Sequence, residues 1–158
     1  MKKRTAFIGA ILSLFPLGQP LLIKTFGVLS GSGVMFSLTE KVNAESDVLS
    51  YVNSANEKIN KEDHYGAIFD LTKAIEIEPN NPLLYSMRSY PKFVLKDFIG
   101  AKSDLNKAIK IEPNKGSFYK LRGNAKYMLN EEKSACIDWS KAASLGDKDG
   151  IPNIKKWC

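Results

Sequence analysis

The chain has 158 residues, 44% of them hydrophobic and 25% charged, with a formal charge of +6. That is room for one domain and an appendage, with a composition ordinary for a globular chain. Residues 1–44 carry five Lys or Arg against one Glu, so most of the positive charge lies in this leader; the interspersed signs that follow leave no basic footprint for nucleic acid.

The leader opens with Lys2, Lys3 and Arg4, followed by an apolar run from Ala6 to Phe15. This is the charged and then apolar order of a secretory signal, and Val42–Ala44 offers small residues suited to cleavage after Ala44. The apolar core stands far from that point, however, and a second apolar stretch, Thr25 to Leu38, follows Lys24. Pro16 and Pro20 would break a spanning helix near its middle, and neither stretch alone reaches the roughly 20 residues needed to cross a bilayer. Residues 1–44 are therefore expected to be an export signal or a membrane anchor. Either places the rest of the chain in a periplasmic or equivalent extracytoplasmic compartment, with membrane association through residues 1–44 if they are retained.

From residue 45 onward the chain repeats itself. "KAIEIEPNN" at 73–81 returns as "KAIKIEPNK" at 107–115 and fades to "KAASLGDKD" at 141–149, an interval of 34 residues. Around these phrases Ala67, Ala101 and Ala135 recur at the same period, as do Ala74, Ala108 and Ala142. So do the small residues Ala55, Ser89 and Gly123, the large residues Leu71, Leu105 and Trp139, and Tyr51, Tyr85 and Tyr119. Apolar residues at three-to-four spacing mark helices, and small residues at fixed places let two helices approach closely. Pro79 and Pro113 end the second helix of the first two units. Turns at Glu62–Asp63, Lys96–Asp97 and Asn130–Glu132 separate the helices and set negative charge near the second helix's N-terminus. Helices are predicted near 47–60, 63–77, 82–95, 97–111, 116–129 and 131–145. A single helix pair cannot bury its apolar face alone, so neighbouring units must stack.

A 34-residue helix–turn–helix unit with this pattern of small and large residues resembles the tetratricopeptide repeat, over about residues 48–147. "DHYGAIFDLTKAIEIEPNN", "RGNAKYML" and the closing "ACIDWSKAASLGDKDGIPNIKKWC" look especially like exported bacterial members. The resemblance implies an all-α fold for residues 45–158: a solenoid of three tetratricopeptide repeats (about 48–81, 82–115 and 116–147) plus a capping helix at about 151–157. Pro152 sits early in that cap, where helices accept it. Ser89 and Pro91 depart from the family pattern, and Pro91 predicts a bend, because it has no N–H for the Met87 carbonyl.

Such repeats imply a non-enzymatic protein–protein interaction module that holds a partner peptide or helix in a concave groove, as an adaptor or assembly factor. The alternative is a membrane-anchored structural component that self-associates by solenoid stacking. In this family the first helices line the groove, which makes Leu83, Met87, Tyr90, Lys120 and Asn124 the expected partner-binding residues. Phe93 fits that surface and ordinary helix packing equally. A subclass of the family grips chaperone C-termini through a carboxylate clamp. Lys120 and Asn124 match its opening pair, but no further repeat follows them and Val52 stands at the corresponding place beside Asn56, so no clamp is expected.

The remaining reactive side chains are read more plainly. Asp70, Asp104 and Asp138 recur at 34, as do Arg88 and Arg122. These are expected to form bidentate ion pairs across the repeat interface, Asp70 with Arg88 or Asp104 with Arg122, that fix the register of stacked units. His64 is the only histidine, so no catalytic or metal cluster forms around it, and no phosphate-binding loop is present. No cofactor is expected. Cys136 and Cys158 fit neither a redox motif nor a zinc set. An even count in an exported chain favours a disulfide, which would staple the cap to the last repeat, against two buried or frayed thiols.

Overall fold

The structure, a computed structural model, describes the backbone of residues 34–147, 154 and 156–158, and the side chains of the same residues from 45 onward. Six helices follow in order: α1 (Val34–Asn60), α2 (His64–Ile77), α3 (Pro82–Val94), α4 (Phe98–Ile111), α5 (Gly116–Met128) and α6 (Glu132–Ser144). Each packs on the next along the chain. No strand occurs among the described residues, and the architecture is the all-α solenoid of three helix pairs expected from the period.

Five of the six helices lie within about a residue of their predicted bounds, which is the ordinary uncertainty of helix ends. The exception is α1, which begins at Val34 and not near 47. Glu40 to Asp47 contains no Pro or Gly to stop a helix, so the first helix runs back through the segment assigned to the leader. The charged and first apolar stretches of the leader, residues 1–33, lie outside the described residues. Of the expected cap, Ile154, Lys156 and Trp157 are described and are helical; the rest lies outside them. No described helix is long and apolar enough to cross a membrane.

The turns within the three pairs are copies of one another. Glu62, Lys96 and Asn130 adopt left-handed backbone, with φ of 61°, 63° and 60°. The following N–H reaches five residues back in each, from Asp63 to the Lys58 carbonyl, Asp97 to Lys92 and Glu131 to Lys126, at 2.8, 2.8 and 2.9 Å. This bond closes a helix end by satisfying a carbonyl that has no partner inside the helix. Asp63 and Asp97 then cap the next helix, accepting from the N–H of Gly66 and Gly100 at 2.9 and 2.8 Å. The turns between units are tied differently: the Tyr85 and Tyr119 hydroxyls donate to the Pro79 and Pro113 carbonyls at 2.9 and 3.0 Å. Helix α3 runs unbroken through Pro91, whose ring is fully buried.

The core explains the alanines. Ala55, Ala67, Ala74, Ala101, Ala108, Ala135 and Ala142 are completely buried, and Ser89 nearly so. The third unit solves the same packing problem with different volumes. Where the first two units pair Ala55 or Ser89 with Leu71 or Leu105, the third pairs Gly123 with Trp139. A Cβ at residue 123 would lie 2.6 Å from the indole Cδ1 and Nε1 of Trp139 and 3.2 Å from the Ala135 carbonyl. A larger residue on one helix is thus matched by a smaller one on its partner, as close packing demands.

Gly123→Ala sets two effects against each other. Helix propensity gains about 1 kcal/mol, while overpacking a tight contact typically costs about 1–3 kcal/mol. The contact is with a buried ring and not a flexible chain end, so we expect a net loss in urea unfolding of the full chain. Equal or greater stability would mean that the Trp139 ring yields.

Candidate functional site

Three buried carboxylates lie at equivalent places on α2, α4 and α6. Asp104 receives Nε and Nη2 of Arg88 at 2.9 and 2.7 Å and Nζ of Lys92 at 2.8 Å. Asp138 receives Nε and Nη2 of Arg122, both at 2.7 Å, and Nζ of Lys126 at 2.8 Å. In the first unit, where Ser54 stands in the arginine's place, Lys58 alone supplies the cation, 2.7 Å from Asp70. The arginines are paired, but not as expected. They bind the aspartate of their own unit, not Asp70 with Arg88 or Asp104 with Arg122. The carboxylate-bearing face of each second helix meets the first helix of the same pair, and the guanidinium lies there.

The arginines nevertheless join the units. The remaining nitrogen, Nη1, donates to Thr72 from Arg88 and to Asn106 from Arg122, both at 2.9 Å. Thr72 and Asn106 lie two residues beyond Asp70 and Asp104, on the second helix of the preceding unit. One planar guanidinium thus spans two units with fixed geometry, which a lysine cannot do.

The expected binding residues divide. Leu83 and Tyr90 stand out from α3, each about half exposed, at 51% and 52%. Met87 does not: it packs against Ala55, Ala67 and Leu71, because its place on α3 turns it toward the first unit. Lys120 pairs with Asp147 at 3.3 Å, and the Asn124 side-chain oxygen accepts from Trp139 Nε1 at 3.0 Å. Lys120 and Asn124 are therefore tied into the third unit. His64 is half-buried at the start of α2, and among the described residues no group of three or more His, Cys, Asp or Glu is placed to hold a metal.

Two cavities adjoin beside Tyr90. One, of about 190 Å³, is lined by Ser89, Tyr90, Phe93, Leu105, Leu121 and Asn124 and reaches the buried Ala101. The other, of about 270 Å³, is lined by Phe93, Asn124, Tyr127, Met128, Trp139 and Trp157. Phe93 borders both and also packs edge-on against Phe98, with ring centres 5.1 Å apart, so it serves packing and surface together. At the far end Cys136 and Cys158 form a disulfide, with Cα atoms 5.8 Å apart. It ties Cys158 to α6, and Trp157 packs at a 45° tilt against Tyr127 with ring centres 4.8 Å apart.

Residues 48–81 match the family described as Tetratricopeptide repeat. The first TPR of Spaghetti (RPAP3), solved bound to an HSP90 peptide, is 26% identical; the match covers 70% of this chain and 90% of that one, with a TM-score of 0.67. The first TPR domain of human RPAP3 gives 26% identity, 69% and 87% coverage and a TM-score of 0.66. The Arabidopsis OM64 TPR domain gives 25%, 73% and 96%, and 0.67. Residues 48–81 are a tetratricopeptide repeat, and the described helices share the fold of these tetratricopeptide repeat domains. Among curated proteins none matches the sequence.

Several residues of this repeat domain escaped the sequence reading. Lys58, Lys92 and Lys126 recur at 34 as strictly as the aspartates they bind, so the period itself carried the signal. Thr72 and Asn106 share a register but not a residue type, which hid them. Nothing in the sequence pointed to Trp157 as a wall.

Burial raises the Asp70 carboxyl pKa, but hydrogen bonds from Lys58 and Ser54 and the Lys58 charge outweigh it and leave the group below its ordinary value. The stability this contributes is present above the unfolded carboxyl's pKa of about 3.9 and is lost as pH falls through the lower folded value. Asp70→Asn should therefore flatten the loss of stability with acid below about pH 4 in denaturant titrations. Asp138→Asn leaves Arg122 and Lys126 facing a neutral amide and should cost about 3 kcal/mol at pH 7, read from urea unfolding.

Proposed function

We propose that this protein is a non-enzymatic interaction module that holds a segment of a partner protein on the face built by α1, α3 and α5, as an adaptor or assembly factor. The observation that carries this reading is the pair of exposed side chains, Leu83 and Tyr90, with an apolar-walled cavity beside Tyr90 and a second, more polar cavity adjoining it on a stacked-helix scaffold. Exposed apolar surface of this kind, placed on a rigid scaffold, is how helical grooves anchor peptides. The relative bound to the HSP90 peptide SRMEEVD supports peptide capture by this fold.

The chemistry of capture differs from a carboxylate grip. Lys120 is paired with Asp147, and Asn124 is held by Trp139. We therefore expect SRMEEVD itself to bind this protein weakly or not at all. The charged and then apolar leader, together with a disulfide at the chain's end, supports action in an extracytoplasmic, oxidising compartment. The segment held against α6 by the Cys136–Cys158 disulfide counts against stacking of further copies on that helix.

A photo-crosslinking residue at position 90, in native envelope extracts, tests the reading. We expect one dominant protein partner in the extracytoplasmic fraction, lost on Leu83→Asp. Crosslinks to the same chain only would favour a self-associating structural component instead.

A further inference from the structure

The two cavities beside Tyr90 meet at Phe93 and Asn124. Their floor is core: Ala101 is fully buried, Leu105 is 1% exposed and Trp139 2%. Their rim is open and apolar or aromatic, at Tyr90, Met128 and Trp157. Among the described residues no charged side chain lines either cavity, although the chain is one-quarter charged and the Lys156 ammonium lies over the Trp157 ring, 4.5 Å from its centroid. The arginines and lysines that face the aspartates lie elsewhere on α3 and α5 and are spent on those carboxylates. A cavity of about 190 Å³ is several times the roughly 30 Å³ share of one water, and its apolar wall gives water few partners.

The outer wall is the unusual part. Trp157 is 45% exposed. What holds it is the Cys136–Cys158 disulfide, one residue beyond the indole, with the Tyr127 ring behind it. The Cys158 N–H also donates to the Ile154 carbonyl at 3.0 Å, which continues the last helical turn up to the disulfide.

We propose that these cavities form one cleft for an uncharged segment of a partner protein that inserts bulky aliphatic or aromatic side chains, and that the Cys136–Cys158 disulfide builds the cleft by holding Trp157 as its wall. This rests on the peptide-capture reading above and narrows it to a site and a ligand chemistry. The inserted side chains are uncharged because the described lining carries no charge to replace an ion's lost hydration, and the Lys156 ammonium beside it lies over the Trp157 ring. The disulfide contributes preorganisation: the wall stands before the ligand arrives, so binding does not have to order Trp157.

The test is to pan the oxidised full chain against a phage-displayed random dodecapeptide library and measure the enriched peptides by fluorescence polarisation. The proposal expects peptides that share bulky apolar residues and no recurring charge. Trp157→Ala, which keeps the disulfide, and the double variant Cys136→Ser/Cys158→Ser should each weaken binding by about tenfold or more, as loss of an aromatic anchor does. A measurement on the unaltered protein guards against misfolding of the variants. Trp139 is buried, so acrylamide quenching reads chiefly Trp157, and saturating peptide should suppress it. Peptides that bind both variants equally and leave quenching unchanged, yet fail with Leu83→Asp, would overturn the cleft and leave the groove reading standing. Enrichment of acidic peptides would also overturn it. If no enriched peptide is sensitive to Leu83→Asp, Trp157→Ala or the loss of the disulfide, both readings fall.

Discussion

Paired helices in this protein approach one another at positions that tolerate almost no side chain, and most of the structure follows from that constraint. Ala55, Ser89 and Gly123 face buried partners on the second helix of each unit, and the alanines beside them are buried to the last atom. Close approach fixes the separation of the helices, and the separation decides which polar groups can meet. With that separation set, the turn between the helices has to be short, and three non-glycine residues accept left-handed backbone to make it so. The cost of those turns is met by the core, since an isolated pair would not hold them.

The buried ions follow the same logic. A carboxylate buried alone would be costly, so each of Asp70, Asp104 and Asp138 meets at least one cation from the facing helix. The network is graded along the solenoid. The first unit has one lysine, whereas the later two have an arginine and a lysine, and it is the arginines that reach back to Thr72 and Asn106. Register between units is therefore specified by planar hydrogen bonding as well as by apolar contact. Because the cations are used up there, the surface around Tyr90 and Phe93 is left to apolar chemistry.

The helices could be read from the sequence because each carries its own signals: small residues, large residues and a closing proline at one period. The start of α1 could not, because a helix boundary was inferred from an expected processing point while Glu40–Asp47 contains nothing to stop a helix. The Asp–Arg pairing was half legible. The period showed that both residues belong to one device, but a period of 34 cannot say whether an arginine meets the aspartate 18 residues before it or the one 16 residues after it. Met87 failed for a related reason. Leu83 and Tyr90, four residues before it and three after it on α3, are exposed, and only the packing of α3 against the first unit turns the Met87 side chain inward.

By itself the sequence determined the helix content, the three-fold repetition and the presence of two cysteines able to meet, because these depend on local propensity and on spacing along the chain. Tertiary structure alone decided which aspartate each arginine binds, that Lys120 and Asn124 are tied within the third unit, and that Trp157 stands against Tyr127 as the wall of a cleft. Those facts depend on distances between residues far apart in the chain, and such distances are set only when the helices have packed.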